Sequence, residues 1–158
     1  MRTIIAHVSQ RLLERQQQLA VAESCTGGYL SKICTDMAGS SQWFDRAYIT
    51  YSNQAKTDML GVPAETIDQH GAVSQQTVIA MAEGVLKHCP AHWSIAISGV
   101  AGPGGGSDIN PIGSVWFAWG QRGGKVSTHK QQFLGDRDQI RVQAVELALE
   151  ELKQLITV

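Results

Sequence analysis

The stretch from Leu19 to Met37 admits few folds. Leu19 to Ala22 is a short apolar run, the length of a buried strand. From Tyr29 to Met37 the apolar residues Leu30, Ile33, Cys34 and Met37 recur at three- and four-residue steps, which is a helical period. Between the two lie Glu23, Ser24, Cys25, Thr26, Gly27 and Gly28. A strand that turns this sharply into a helix leaves unpaired backbone N–H groups at the helix start, where the dipole is positive. Glycines let a ligand approach that backbone closely. Such a corner can hold an anion, or the oxyanion formed when a serine attacks a carbonyl. In the plainer alternative, Ser24 or Thr26 caps the helix and the glycines only make the turn. The pattern alone leaves both open.

The rest of the chain narrows the setting. Its 158 residues suit one domain, residues 1–158, with a single substantial core. With 43% hydrophobic and 17% charged residues, the balance is that of a folded globular chain. A net charge of −1, with no basic run longer than two residues, argues against a nucleic-acid partner. No apolar run approaches ~18 residues, and the first residues lack a signal peptide's long apolar core, so no membrane partner is expected. The cysteines Cys25, Cys34 and Cys89 are odd in number and show no metal-ligand spacing. A reducing cytoplasm fits, with no metal.

In chain order, residues 3–18 read as an amphipathic helix with Ile4, Ile5, Val8, Leu12 and Leu13 on one face. The first strand, the Ser24 corner and the helix to Met37 follow. Phe44 to Tyr51 reads as a second strand. Ser52 caps a short helix stopped by Gly61, Pro63 opens another, and Ser74 caps a longer one that ends before Pro90. Trp93 to Ser98 is the third strand. A glycine-rich loop runs from Gly99 to Ser107 and on to Pro111, and Ile112 to Trp119 is the fourth strand. After the turn at Gln121–Gly124, Lys125 to Phe133 is a polar return strand suited to a sheet edge. Gly135 and Asp136 introduce a last helix with Ile140, Ala144, Val145, Ala148, Leu149, Leu152 and Ile156 inward. Helices alternating with strands, closed by a hairpin, predict a three-layer α/β/α sandwich with a mixed, mostly parallel sheet and a late antiparallel hairpin.

Four polar clusters fall at element ends, where α/β proteins place ligands. They are Ser24 to Gly28; Tyr51, Ser52 and Lys56; Ser98 with the glycine loop behind it, including Gly99 and Gly102; and Arg137 with Arg141. The two arginines sit at a helix start, where each opposes the dipole at a cost of ~0.3–1 kcal/mol. Asp136 and Asp138 can neutralise them, or they serve an external anion, since a spacing of four puts both guanidinium forks on one face. The anion is favoured. Lys56 is by default a solvated lysine. Held in a dry pocket beside Ser24 and near the positive end of the helix after Gly28, its pKa falls and it can act as base for the serine. The glycine loop matches neither the phosphate-binding nor the dinucleotide-binding glycine pattern. His88 and His92 flank Pro90, which breaks the helix they would share, so no zinc site is expected. Cys25 is a rival nucleophile without a histidine in a comparable setting.

These residues resemble those of the CinA C-terminal domain family, the nicotinamide-nucleotide amidases. The resemblance rests on Ala22-Glu23-Ser24-Cys25-Thr26-Gly27-Gly28, Tyr51-Ser52-Asn53-Gln54-Ala55-Lys56, Leu60-Gly61-Val62 and Gly71-Ala72-Val73-Ser74. It continues through Ser98 to Gly105, Pro111 to Val115, and Phe133 to Arg137 with Arg141. It spans nearly the whole chain. It implies hydrolysis of the carboxamide of nicotinamide mononucleotide to nicotinate mononucleotide and ammonia, with no cofactor. It also implies Ser24 as nucleophile, Lys56 as base and Tyr51 beside them. Thr26, Gly27 and Gly28 would serve the oxyanion, and Arg137 or Arg141 the phosphate, with Ser98 and the glycine loop also facing the substrate. Ser98 stands where many members carry threonine, and the hydroxyl is kept. The family domain also occurs fused behind a larger molybdopterin-binding-like domain, which this sequence does not contain. A non-catalytic nucleotide-binding module using the same pocket is the alternative of a different class. A homo-oligomer is compatible with the sequence.

Overall fold

The computed structural model describes residues 1–157, and Val158, the last residue of the expected domain, lies outside them. The helices are α1 (Arg2–Glu14), α2 (Tyr29–Thr35), α3 (Asn53–Leu60), α4 (Ala64–His70), α5 (Gln75–His88) and α6 (Arg137–Thr157). The strands are β1 (Leu19–Glu23), β2 (Phe44–Ile49), β3 (Trp93–Gly99), β4 (Ser114–Gln121) and β5 (Val126–Gln132). They form one sheet in the order β2-β1-β3-β4-β5. β1 pairs in parallel with β2 and β3, while β4 is antiparallel to both β3 and β5, so β4 alone runs against the others. This is the expected mixed α/β sandwich with its late hairpin.

Alternation along the strands divides the core in two. Leu19 and Val21 of β1, Ile95 and Ile97 of β3, and Phe117 and Trp119 of β4 point to one face and pack with α1, α2 and α6. Ala20, Ala22, Ala96 and Ala118 point to the other and meet Val78, Met81, Ala82 and Val85 of α5. The small face lets α5 lie close to the sheet. Ser94, buried on that face, donates its hydroxyl hydrogen bond to Ala82 O at 2.9 Å.

The caps read from sequence are in place: Ser52 Oγ accepts from Ala55 N–H at 3.0 Å, and Ser74 Oγ from Thr77 N–H at 3.2 Å. Asp136 caps α6 with Gln139 in a reciprocal pair, Gln139 N–H donating to Asp136 Oδ1 at 2.9 Å and Asp136 N–H to Gln139 Oε1 at 2.8 Å. Several boundaries differ from the sequence reading, among them that of α1, which ends at Glu14, short of residue 18. α2 ends at Thr35, before Met37, and β2 ends at Ile49, so Thr50 and Tyr51 leave the ladder. β4 begins at Ser114 because Gly113 turns at φ 92°, donating its N–H to Val100 O at 2.7 Å. A Cβ at Gly113 would stand 2.0 Å from Phe133 O, which only glycine avoids.

β1, β2 and β3 run the same way, so the residues that follow them meet at one edge of the sheet. Ser24, Thr50, Tyr51, Ser98 and Gly99 are thereby brought together from three separate sequence regions. Among the described residues, no helix is long and apolar enough to cross a membrane.

Candidate active site

Glu23, the last residue of β1, decides how the turn at Ser24 is built. Its carboxylate is fully buried and accepts N–H hydrogen bonds from Gly28 at 3.2 Å, Leu30 at 2.9 Å and Ser31 at 3.0 Å. These are orphan donors at the start of α2, answered by a negative charge where the dipole is positive. Gly27 N–H donates to Ser24 O at 3.1 Å, and Gly27 and Gly28 adopt φ of 58° and 100° to make the corner. The sequence leaves open an anion, an oxyanion or a plain cap at this helix end; the structure sets the chain's own carboxylate on the Gly28, Leu30 and Ser31 N–H groups. Removing that carboxylate strands three donors, the buried Leu30 N–H and the part-buried Gly28 and Ser31 N–H groups. Glu23→Ala is therefore expected to lower folding stability by roughly 3 kcal/mol or more, read from urea denaturation. A loss below about 1 kcal/mol would mean that water replaces the carboxylate without cost.

Ser24 sits just beyond, 7% exposed, and Lys56 comes to it from the opposite side on α3. Lys56 is 1% exposed, and its Nζ lies 3.0 Å from Ser24 Oγ, 2.8 Å from Thr50 O and 3.3 Å from Tyr51 O. The two residues that leave the β2 ladder thus turn their carbonyls onto the amine. Burial pulls the Lys56 pKa down from 10.5 to about 8, with the neighbouring Cys25 pushing weakly the other way. The helix end expected to assist this shift is occupied by Glu23, and burial carries the effect.

The dyad opens into a cavity of about 270 Å³. Its wall includes Ser24, Cys25, Tyr51, Lys56, Ser98, Gly99, Gly102 and Arg137. Ser98 is buried and donates its hydroxyl to Ala72 O at 2.8 Å, tying the glycine-loop side to the turn before α5. Tyr51 is 60% exposed, and its phenol oxygen accepts from Arg137 Nη2 at 3.3 Å. Arg137 Nη1 also donates to Gly102 O at 2.8 Å, which sets its guanidinium at the rim between Tyr51 and the glycine loop.

Thr26, Gly27, Gly28 and Arg141, expected to face substrate, do not line this cavity. The N–H groups of both glycines are spent inside the turn, and Arg141 instead reaches the carbonyls of Cys25 and Thr26, at 3.1 and 3.0 Å. Asn53 was not singled out from sequence and does line the cavity. Its sequence signal is its place in the Tyr51–Lys56 segment, one residue after the Ser52 cap. Cys25 is 6% exposed, and burial raises its thiol to about 11, which leaves it protonated and weakly nucleophilic near neutrality. His88 Nδ1 pairs with Gly84 O at 2.7 Å and His92 Nδ1 accepts from Gln18 N–H at 3.1 Å, so neither faces the cavity.

A serine hydroxyl against a buried lysine amine, at the carboxyl ends of parallel strands, is a constellation suited to nucleophilic acyl transfer on an α/β scaffold. The chain belongs to the CinA C-terminal domain family, whose model matches residues 1–156. It is 50% identical over 147 residues to the nicotinamide-nucleotide amidohydrolase PncC of Escherichia coli strain K12, covering 93% of this chain and 89% of that one. It is 46% identical over 155 residues to the nicotinamide-nucleotide amidohydrolase PncC of Pseudomonas putida, covering 98% and 96%. The crystal structure of the competence/damage inducible protein CihA from Agrobacterium tumefaciens superposes with a TM-score of 0.96 at 39% identity, covering 99% of this chain and 95% of that one.

Proposed function

We propose that this protein hydrolyses the carboxamide of nicotinamide mononucleotide, giving nicotinate mononucleotide and ammonia, with Ser24 as nucleophile and Lys56 as its base. The observation that carries the proposal is the 3.0 Å contact between Lys56 Nζ and Ser24 Oγ, at an amine whose pKa is drawn down to about 8. Relatives named as nicotinamide-nucleotide amidohydrolases at 50% and 46% identity support the substrate class.

In the first half-reaction Ser24 Oγ forms a bond to the amide carbon as its proton passes to Lys56 Nζ. The carbonyl oxygen takes the negative charge. The tetrahedral species collapses by breaking the C–N bond, and Lys56 returns the proton to the departing nitrogen, which leaves as ammonia. A water, deprotonated by the same amine, then cleaves the acyl ester and restores Ser24. The Tyr51 carbonyl steadies the amine, while the Tyr51 ring and Arg137 guard the cavity rim. In this reading Arg137, at the cavity rim, holds the phosphate, and Ser98 with Gly99 and Gly102 form the wall behind the substrate.

Purified protein given nicotinamide mononucleotide should release ammonia and nicotinate mononucleotide in equal amounts. Arg137→Gln should weaken use of the mononucleotide by roughly ten- to a hundredfold while barely changing use of the riboside, since one charge-assisted hydrogen bond is worth ~1.5–3 kcal/mol. Equal losses on both would make Arg137 a structural tie between Tyr51 and Gly102. Binding of the mononucleotide without ammonia release would leave a non-catalytic binding module.

A further inference from the structure

α6 sends two arginines toward the site, and they do different things. Arg137 reaches the cavity rim. Arg141, one turn later, passes beneath the nucleophile turn, with Nε donating to Cys25 O at 3.1 Å and Nη2 to Thr26 O at 3.0 Å. Its side chain is 30% exposed, and Asp138 Oδ1 stands 3.7 Å from Nη1 on the solvent side. A Cβ at Gly27 would meet Arg141 Nη2 at 3.5 Å, an ordinary contact, so it is the φ of 58° and not the guanidinium that favours glycine there.

The hydrogen bonds of the turn account for nearly all its polar backbone groups. Ser24 O accepts from Gly27 N–H at 3.1 Å, and Thr26 O accepts from Tyr29 N–H at 3.0 Å as well as from Arg141. Gly28, Leu30 and Ser31 donate to Glu23. Among the described residues, the N–H groups of Cys25 and Thr26 alone in this turn have no acceptor. A trans peptide points its C=O and N–H in opposite directions. Holding the Cys25 carbonyl toward α6 therefore turns the Thr26 N–H away from α6, and the bond from Gly27 to Ser24 O likewise directs the Cys25 N–H out of the turn.

We infer that Arg141 is a positioning residue for the reaction: it clamps the carbonyls of Cys25 and Thr26 and so holds the nucleophile turn in the shape that leaves the N–H of Cys25, the residue of this turn that lines the cavity beside Ser24, free for the oxyanion formed when Ser24 attacks. The inference deepens the amidase proposal and rests on it. It moves Arg141 from the phosphate, where its spacing from Arg137 suggests it, to the oxyanion. A guanidinium suits this task because its planar fork spans two acceptors while keeping its charge. That charge is felt at the turn, where Arg141 works against burial in lowering the Cys25 thiol pKa.

The test compares wild type, Arg141→Lys and Arg141→Ala on nicotinamide mononucleotide and on the riboside, reading kcat and KM separately. Both variants should lose kcat by about tenfold or more, equally on the two substrates, with KM nearly unchanged, as expected when an oxyanion donor is displaced. Lysine keeps the charge but cannot span both carbonyls, so it should not restore the rate. Millimolar guanidinium ion added to Arg141→Ala should recover part of kcat, which a loss of folding stability alone would not allow. Should the alanine variant fail to fold, Arg141→Lys decides the matter by itself. A loss confined to the mononucleotide would return Arg141 to the phosphate and overturn the inference, as would an Arg141→Lys kcat within about twofold of wild type. Wild-type protein inactive on both substrates would instead sink the amidase proposal beneath it.

Discussion

Replacing Ser24 with alanine is expected to reduce amide hydrolysis by roughly 10⁴-fold or more while leaving the fold and substrate binding close to wild type. The change deletes one oxygen from a 7% exposed position. Lys56 keeps Thr50 O at 2.8 Å and Tyr51 O at 3.3 Å, so the amine is not released from its place. The other serine of the cavity wall, Ser98, is tied to Ala72 O at 2.8 Å. Cys25, the adjacent candidate, is buried with its thiol raised to about 11, and so presents almost no thiolate near neutral pH. The measurement is ammonia release under saturating substrate, paired with mass spectrometry of quenched wild-type enzyme. Wild type should carry a covalent adduct of the substrate mass less ammonia on the peptide containing Ser24, and Ser24→Ala should carry none. Turnover by Ser24→Ala within about a hundredfold of wild type would remove Ser24 as nucleophile and transfer the role to a directly activated water.

Most of the layer architecture was legible because it is written in short-range periodicity. The alternation of Leu19 and Val21 against Ala20 and Ala22, the inward stripe from Ile140 to Ile156, and the caps at Ser52 and Ser74 each depend on neighbours within a few residues. The displaced boundaries are those set by distant partners. Ile112 is apolar and next to a strand, yet Gly113 must turn because Phe133 O occupies the space its side chain would need. Thr50 and Tyr51 look like strand residues, but their carbonyls face the Lys56 amine across the helix start rather than a neighbouring strand.

The site divides along the same line. Ser24 and Lys56 could be paired in advance through the family resemblance; their places near the ends of β1 and β2 put them at one sheet edge, but spacing alone left Lys56 a solvated lysine. Glu23 carried no such signal, since a carboxylate closing a strand reads as a surface charge until the helix start folds back over it. Arg137 and Arg141 looked equivalent, four residues apart on one helical face. What separates them is that α6 runs beneath the α2 corner, so the first arginine clears it to reach Tyr51 and Gly102 while the second meets the backbone of Cys25 and Thr26. That crossing is tertiary and leaves no trace in spacing.

Lys56 should act as the neutral amine, and the pH dependence of the rate should report it. Three acceptors surround Nζ: Ser24 Oγ, Thr50 O and Tyr51 O. An ammonium offers three N–H groups and satisfies them all, but has no lone pair to receive a proton. Once neutral, the amine keeps two N–H groups for the two carbonyls and turns its lone pair to the serine O–H. Activity therefore belongs to the deprotonated form. With the pKa drawn down from 10.5 to about 8, the acylation rate should climb with pH through a single ionisation near 8 and level off above it. The same shift has a stability consequence of defined sign. Between about 8 and 10.5 the unfolded chain holds a proton on Lys56 that the folded chain has lost, so this residue's contribution to stability improves as pH rises across that window. Lys56→Met should erase that improvement along with activity. Lys56→Arg should also be inactive, because a guanidinium stays charged and cannot take the serine proton. A working Lys56→Arg enzyme, or a wild-type acylation rate flat from pH 6 to 10, would make Lys56 a fixed charge that orients the substrate and would send the search for the base elsewhere.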